Sequence, residues 1–137
     1  MGITQRISSS SPFEPAIGFS RAVRVDPGPG AGAGRVLVSG TGPVVPPGQA
    51  CPEGAGAQAR RCFDIIAAAL EEAGASLDDV VRTRLYLTAV EHADEVGAVH
   101  GELLGHVRPA ATMVVVAGLL DAAWKVEIEA EAVLPGG

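Results

Sequence analysis

From Lys125 to Ala132 charged and apolar residues alternate without a break, with Lys125, Glu127, Glu129 and Glu131 on one side of an extended chain and Val126, Ile128, Ala130 and Ala132 on the other. Successive side chains of a strand point to opposite faces, so this segment reads as a strand with one covered face and one polar face. Val80 to Thr88 repeats the pattern. Val81, Thr83, Leu85 and Leu87 point one way, and Arg82, Arg84, Tyr86 and Thr88 the other. Strands of this kind need an apolar layer to lie against, and the chain supplies it in two helical stripes. From about Gly56 to Ala73, Ala59, Phe63, Ile66, Leu70 and Ala73 recur at steps of three and four, with Gly74 in the stop position. From His92 to about Leu104 the stripe is Val96, Val99, Leu103 and Leu104, and it is expected to break at Gly105, before Arg108-Pro109.

Two short β-branched runs, Arg21 to Val25 and Arg35 to Ser39, flank a Pro/Gly-rich connection and open the fold as an antiparallel pair. Gly40 to about Gly54 is irregular loop, without the spacing of a phosphate-binding loop. Ala111 to Val116 and Trp124 to Val133 are the closing strands. Two helices cannot cover both faces of such a sheet, so the expected fold is an α+β two-layer sandwich in a single domain spanning 1–137. The face away from the helices is expected to carry Tyr86, Met113 and Val115, which a partner subunit would cover.

Composition removes several function classes. A net charge of −6 leaves no basic surface for a phosphate backbone, and one Trp, one Tyr and three Phe make no base-stacking platform, so nucleic acid is not expected as a partner. No apolar run approaches the roughly 20 residues of a membrane span, and the start Met1-Gly2-Ile3-Thr4-Gln5-Arg6 has neither an export signal nor a myristoylation pattern. A cytoplasmic protein is expected, with Cys51 and Cys62 as reduced thiols. His92, His100 and His106 have no third ligand at metal spacing, so neither a metal nor another cofactor is expected.

Five stretches occur in an order that resembles the Rid (reactive intermediate deaminase, YjgF-like) family, also called L-PSP endoribonucleases. They are Ala16-Ile17-Gly18-Phe19-Ser20-Arg21-Ala22-Val23, Val36-Leu37-Val38-Ser39-Gly40-Thr41, Leu70-Glu71-Glu72-Ala73-Gly74-Ala75-Ser76 with Val80-Val81-Arg82-Thr83, Arg108-Pro109-Ala110, and Val126-Glu127-Ile128-Glu129-Ala130. The resemblance implies a chorismate-mutase-like sandwich, assembled as a homotrimer with a small-molecule pocket at each subunit interface. In deaminating members an arginine follows the Pro-Ala pair and grips the substrate carboxylate; here that position is Ala111. Thr112 and Met113 stand where the family has a Ser or Thr and a frequent Cys, Gly97 where it has a helix asparagine, and Phe19 where it has a pocket tyrosine. Ser39 and Glu127 are retained, the latter as the carboxylate associated with the hydrolytic water. The implied function is binding of a small polar metabolite, with hydrolysis or tautomerisation of an imine-like compound through Glu127. Efficient deamination of 2-imino acids is not expected without the arginine. A noncatalytic sensor or assembly subunit is the rival, and endoribonuclease activity a weaker one.

The residues themselves leave each role open. Glu127 is either a general acid or base with a pKa raised by burial, or an ion-pair partner of Arg82 or Arg84. Arg84 either replaces the lost guanidinium or neutralises the glutamate row. Arg108, biased by the following proline to an extended backbone, is a second candidate anion anchor. Ser39 either contacts the ligand or caps the turn before Gly40. Ala111 and Met113 would line the pocket if they share the Glu127 face, and Trp124 is expected to pack.

Overall fold

The computed structural model describes residues 2–135, leaving Met1, Gly136 and Gly137 of the expected domain outside the described residues. Its strands are β1 (Ile3–Ile7), β2 (Ala22–Val25), β3 (Arg35–Thr41), β4 (Val80–Leu87), β5 (Ala110–Val115) and β6 (Val126–Val133). They form one sheet in the order β1-β2-β3-β6-β4-β5. Every neighbouring pair is antiparallel except β4 and β5, which run parallel. A parallel pair needs a crossover, and the helix α3 (Ala93–Leu104) lies between them in sequence. The strongly alternating last strand sits in the sheet interior, between β3 and β4. Its Val126, Ile128, Ala130 and Ala132 are all buried beneath the helix layer.

That layer is α2 (Ala55–Glu72) with α3. The predicted stripe Ala59, Phe63, Ile66, Leu70 and Ala73 is buried along its whole length, as are Val96, Val99 and Leu104 of α3. Each large side chain so buried contributes roughly 1.5–3 kcal/mol. α2 stops as the sequence predicts. Gly74 takes φ +89°, and the Gly74 and Ala75 amides donate back to Glu71 and Leu70 at 3.0 and 2.8 Å, the two-bond terminus that a left-handed glycine makes accessible. Ser76 and Asp79 then cap a short 3-10 turn reciprocally and turn the chain into β4. The expected α+β sandwich is therefore the observed fold.

Four local expectations are corrected. The opening pair of strands is preceded by β1 and by a short helix α1 (Phe13–Ile17), elements too brief for periodicity to reveal. Val81 does not join the buried face of β4. Val80 pairs with Ala132 and Arg82 with Glu131, so Val81 is an extra residue in a β-bulge, exposed, while Val80 is buried. The helix does break at Gly105, its C-cap, as expected, but the left-handed residue that turns the chain is Arg108, φ +54°, whose amide donates to the Leu104 carbonyl at 2.8 Å. Arg108 is consequently left-handed rather than extended, because closing the helix end outweighs the bias from Pro109. Finally, Ala111, Met113 and Val115 register with Thr83, Leu85 and Leu87, the helix-facing residues of β4. Parallel partners share a face, so Met113 and Val115 do not lie with Tyr86; Thr112 and Val114 do. β5 is one of the two sheet edges, and all six of its residues are exposed.

Candidate functional site

The feature that builds the site is a second bulge. Val38 pairs with Ala130 and Thr41 with Ile128, so Ser39 and Gly40 together oppose Glu129 alone, and the β3–β6 ladder is locally broken. Bulges re-aim side chains and interrupt pairing, and they recur beside functional sites for that reason. A cavity of about 520 Å³ lies here, lined by the serine run Ser8–Ser11, by Phe19, Arg21, Ser39 and Glu127, and by Arg61 and Asp64 of α2, among others. Gly40 allows the approach of the carboxylate, since a Cβ at that position would stand 2.5 Å from Glu127 Oε2.

The walls are fixed by polar staples. Gln58, fully buried, donates to the Pro52 and Ala123 carbonyls at 2.8 and 2.9 Å and accepts from the Lys125 amide at 2.6 Å. These bonds tie the segment leading into β6 to α2 and so hold Glu127 two residues further on. Trp124 packs as expected. Its ring lies 2.5 Å from where a Gly42 Cβ would be, and its centroid is 5.8 Å from that of Phe13 at 76°, an edge-to-face contact.

Arg21 organises the other side. It is 3% exposed, its Nε lies 3.2 Å from Glu14 Oε2, and its Nη1 donates to the Gly40 carbonyl at 2.6 Å and the Thr41 hydroxyl at 3.0 Å. Glu14, 5% exposed, also accepts from the Ser9 amide at 3.0 Å and from the Ser9 hydroxyl. The guanidinium carbon stands 5.3 Å from the Phe19 ring centroid, within cation–π range. The network therefore pins the serine run, α1 and the bulge together.

Glu127 forms no ion pair within 4 Å among the described residues. Burial pushes its carboxyl above the ordinary range; the Arg21 charge opposes this and the neighbouring Glu129 reinforces it. A half-buried carboxyl of this kind exchanges protons nearer neutrality, which suits acid–base work. The glutamate row beyond it is neutralised without it. Arg84 Nη1 lies 3.9 Å from Glu129 and 3.8 Å from Glu131, and the Tyr86 hydroxyl donates to Glu129.

Of the residues singled out in the sequence, Phe19, Ser39 and Glu127 thus meet in one cavity. The Ser39 hydroxyl donates to the Ser20 carbonyl at 2.7 Å, leaving its lone pairs for any other contact. Arg84 belongs to the glutamate row on the open sheet face. Arg108, Ala111 and Met113 do not line the cavity. Arg108 is exposed at the turn into β5, and Ala111 and Met113 lie on the exposed edge itself. Sequence reasoning missed Arg21, Glu14, Arg61 and the serine run. The only signal for the first two was a charge of each sign near an element end, and nothing in their spacing reveals the pairing.

No cluster of three or more His, Cys, Asp or Glu capable of holding a metal occurs among the described residues. His100 Nε2 shares a hydrogen bond of 2.8 Å with the Thr83 hydroxyl, and burial holds its pKa below the ordinary value. Both cysteines are free, and burial pushes each thiol up, most strongly at Cys62, which makes neither a ready nucleophile. No helix among the described residues is long and apolar enough to cross a membrane.

Comparison with known proteins agrees with this architecture. The uncharacterized protein SCO2049 of Streptomyces coelicolor is 36% identical over 132 residues, covering 93% of this chain and 90% of that protein. The crystal structure of Rv2704 from Mycobacterium tuberculosis, a member of the YjgF/YER057c/UK114 family, superposes with a TM-score of 0.81 at 41% identity, covering 95% of this chain and 98% of that one. RidA from the Antarctic bacterium Psychrobacter sp. superposes with a TM-score of 0.76 at 29% identity, covering 98% and 99% of the two chains. The family model described as Endoribonuclease L-PSP matches residues 9–134, and the chain belongs to that family, the family of the YjgF and Rid proteins.

Proposed function

We propose that the chain acts in the cytoplasm as a single-domain homotrimeric subunit that binds a small polar metabolite at its subunit interfaces, with Glu127 as the acid–base group. The observation that carries this reading is Glu127 itself: half-buried, unpaired among the described residues, its carboxyl raised by burial, and turned into a cavity with Phe19 and Ser39. The trimer rests on the family resemblance and on β5, an edge strand whose Met113, Val114 and Val115 are 37%, 42% and 53% exposed. Apolar side chains and free backbone groups on one edge call for a covering partner. In this assembly β5 of a neighbouring subunit, with Ala111 and Met113, closes the cavity.

In such a pocket Glu127 in its acid form protonates an imine nitrogen, its carboxylate takes a proton from the water that adds to the carbon, and return of that proton to nitrogen expels ammonia and leaves the carbonyl. With an enol it protonates the carbon while the O–H proton passes to solvent, completing the tautomerisation. Ala111 offers no guanidinium at the place where deaminating relatives hold the substrate carboxylate, so 2-iminopropionate is expected to decay at its uncatalysed rate. The endoribonuclease name is not carried over, because a net charge of −6 disfavours binding to a phosphate backbone.

The test generates a panel of imines and enols in situ and follows their decay with the native protein and with Glu127→Gln, alongside sedimentation analysis of the assembly. Acceleration by the native protein that the Gln variant loses is the expected result. Equal turnover by the two proteins sinks the mechanism, and saturable binding without conversion assigns the same cavity to ligand sensing.

A further inference from the structure

Two guanidinium groups line the cavity, and they differ in what they already hold. Arg21 is committed to Glu14, Gly40 and Thr41. Arg61, on the α2 wall, donates from Nε to the Val44 carbonyl at 2.6 Å. Its Nη1 and Nη2 make no hydrogen bond among the described residues, and no carboxylate lies within 4 Å of it there. Elsewhere Arg24, Arg35, Arg60 and Arg84 each have a carboxylate partner; Arg6, Arg82 and Arg108 have none within 4 Å among the described residues, but none of these three lines the cavity. Asp64, one turn further along the same wall, is exposed and does not pair with Arg61.

A guanidinium carries five N–H donors in a rigid plane, and a bond at Nε fixes that plane while the paired Nη groups stay free. This is the geometry that takes a carboxylate through two parallel hydrogen bonds. The remaining walls favour an apolar body, with Phe19, Ile65, Leu120 and Trp124 bordering the same space. A volume of about 520 Å³ lies within the range of pockets that enclose drug-sized molecules; a three-carbon acid would leave most of it unfilled.

We propose that Arg61 is the carboxylate anchor of this cavity and that its ligand is a small carboxylic acid with an aromatic or branched apolar body. This rests on the reading of the cavity as a metabolite site and adds the substrate class. It also changes the meaning of Ala111. The anion is held from α2 of the same protomer, so the edge strand has no need to supply a charge.

The experiment compares phenylacetate with phenylacetamide, and 4-methylpentanoate with its amide, by titration calorimetry and by NMR of labelled protein. Acetate serves as the size control. Native protein is expected to bind each acid roughly tenfold to a hundredfold more tightly than its amide, the range for hydrogen bonds to a charged group, and to bind acetate weakly. Arg61→Gln is expected to erase the preference and Arg61→Lys, which keeps the charge without the fork, to retain part of it. Equal binding of acid and amide by the native protein, which needs no variant to fold, overturns the proposal, as does an unchanged preference in Arg61→Gln. A screen with neutral and basic fragments separates the two levels of failure. Fragments that shift Phe19 and Glu127 resonances without any preference for acids refute the anchor and leave the metabolite site standing; the absence of any shift from any compound refutes both.

Discussion

Replacing Arg21 by Met removes the centre of a buried network while keeping most of the side chain's apolar volume. Arg21 is 3% exposed and its partner Glu14 is 5% exposed, so neither group regains water when the other is lost. Glu14 would keep only the Ser9 amide and hydroxyl as donors, and the Gly40 carbonyl and Thr41 hydroxyl would each lose one. Breaking a buried ion pair from one side costs roughly 3–5 kcal/mol, most of it from the charge left behind. For a chain of this length that is a fall in Tm of roughly 10–20 °C. Urea unfolding followed by Trp124 fluorescence is a suitable assay, because this is the only tryptophan and it packs in the same cavity wall. Protein concentration is held fixed, because the proposed assembly would contribute to apparent stability. The double variant Arg21→Met, Glu14→Leu removes both charges and is expected to recover a large part of the loss, giving a coupling of roughly 2 kcal/mol or more. A single variant within about 1 kcal/mol of native, or a double variant whose loss is the sum of the singles, would refute the claim that the pair is buried and interdependent.

Gly40→Ala places a methyl group against the Glu127 carboxylate, which is the far end of a flexible chain and swings aside. Stability should change by no more than about 1 kcal/mol, while the Glu127 pKa measured by carboxyl NMR returns toward its ordinary value; an unmoved pKa would contradict the contact. For Glu127→Gln the sign follows from a raised folded-state pKa. The native protein binds that proton more tightly than the unfolded chain does, so the favourable contribution is fully present below the unfolded value near 4.5 and is lost as pH rises through the folded value. The variant should match native stability in acid and exceed it at neutral pH; a gap that is constant with pH would exclude Glu127 as its source. Gln58→Leu deprives the Pro52 and Ala123 carbonyls of a donor and the Lys125 amide of an acceptor, and should cost roughly 2–4 kcal/mol in urea unfolding; a loss below about 0.5 kcal/mol would mean that these groups find other partners.

The parts of this fold legible in the sequence are those governed by local periodicity. The Val126/Ile128/Ala130/Ala132 face of β6 and the Ala59-to-Ala73 stripe of α2 are repeats of fixed step, and Gly74 marks a stop that needs left-handed backbone. Phe19, Ser39 and Glu127 were legible as site residues for a different reason, the resemblance to the Rid family; alternation added only that Glu127 faces away from the helices. Two bulges were not legible. One extra residue at Val81 and another at Ser39–Gly40 change which side chain faces which layer, and a bulge is defined by the partner strand rather than by its own sequence. The same dependence on pairing misplaced Met113 and Val115, because alternation within β5 says which residues share a face but only its parallel register with β4 says which face that is.

The sequence by itself determined an α+β sandwich, the two helices of its covering layer, its covered sheet face and a carboxylate at Glu127 that points away from the core. Tertiary structure alone decided that this carboxylate shares a cavity with Phe19 and Ser39, that Arg21 is spent on Glu14, and that Arg61 lines the same cavity without a carboxylate partner among the described residues. Periodicity is a property of neighbouring residues, whereas the charge state and availability of a side chain depend on groups from Ser9 to Val44 that only folding brings within hydrogen-bond reach.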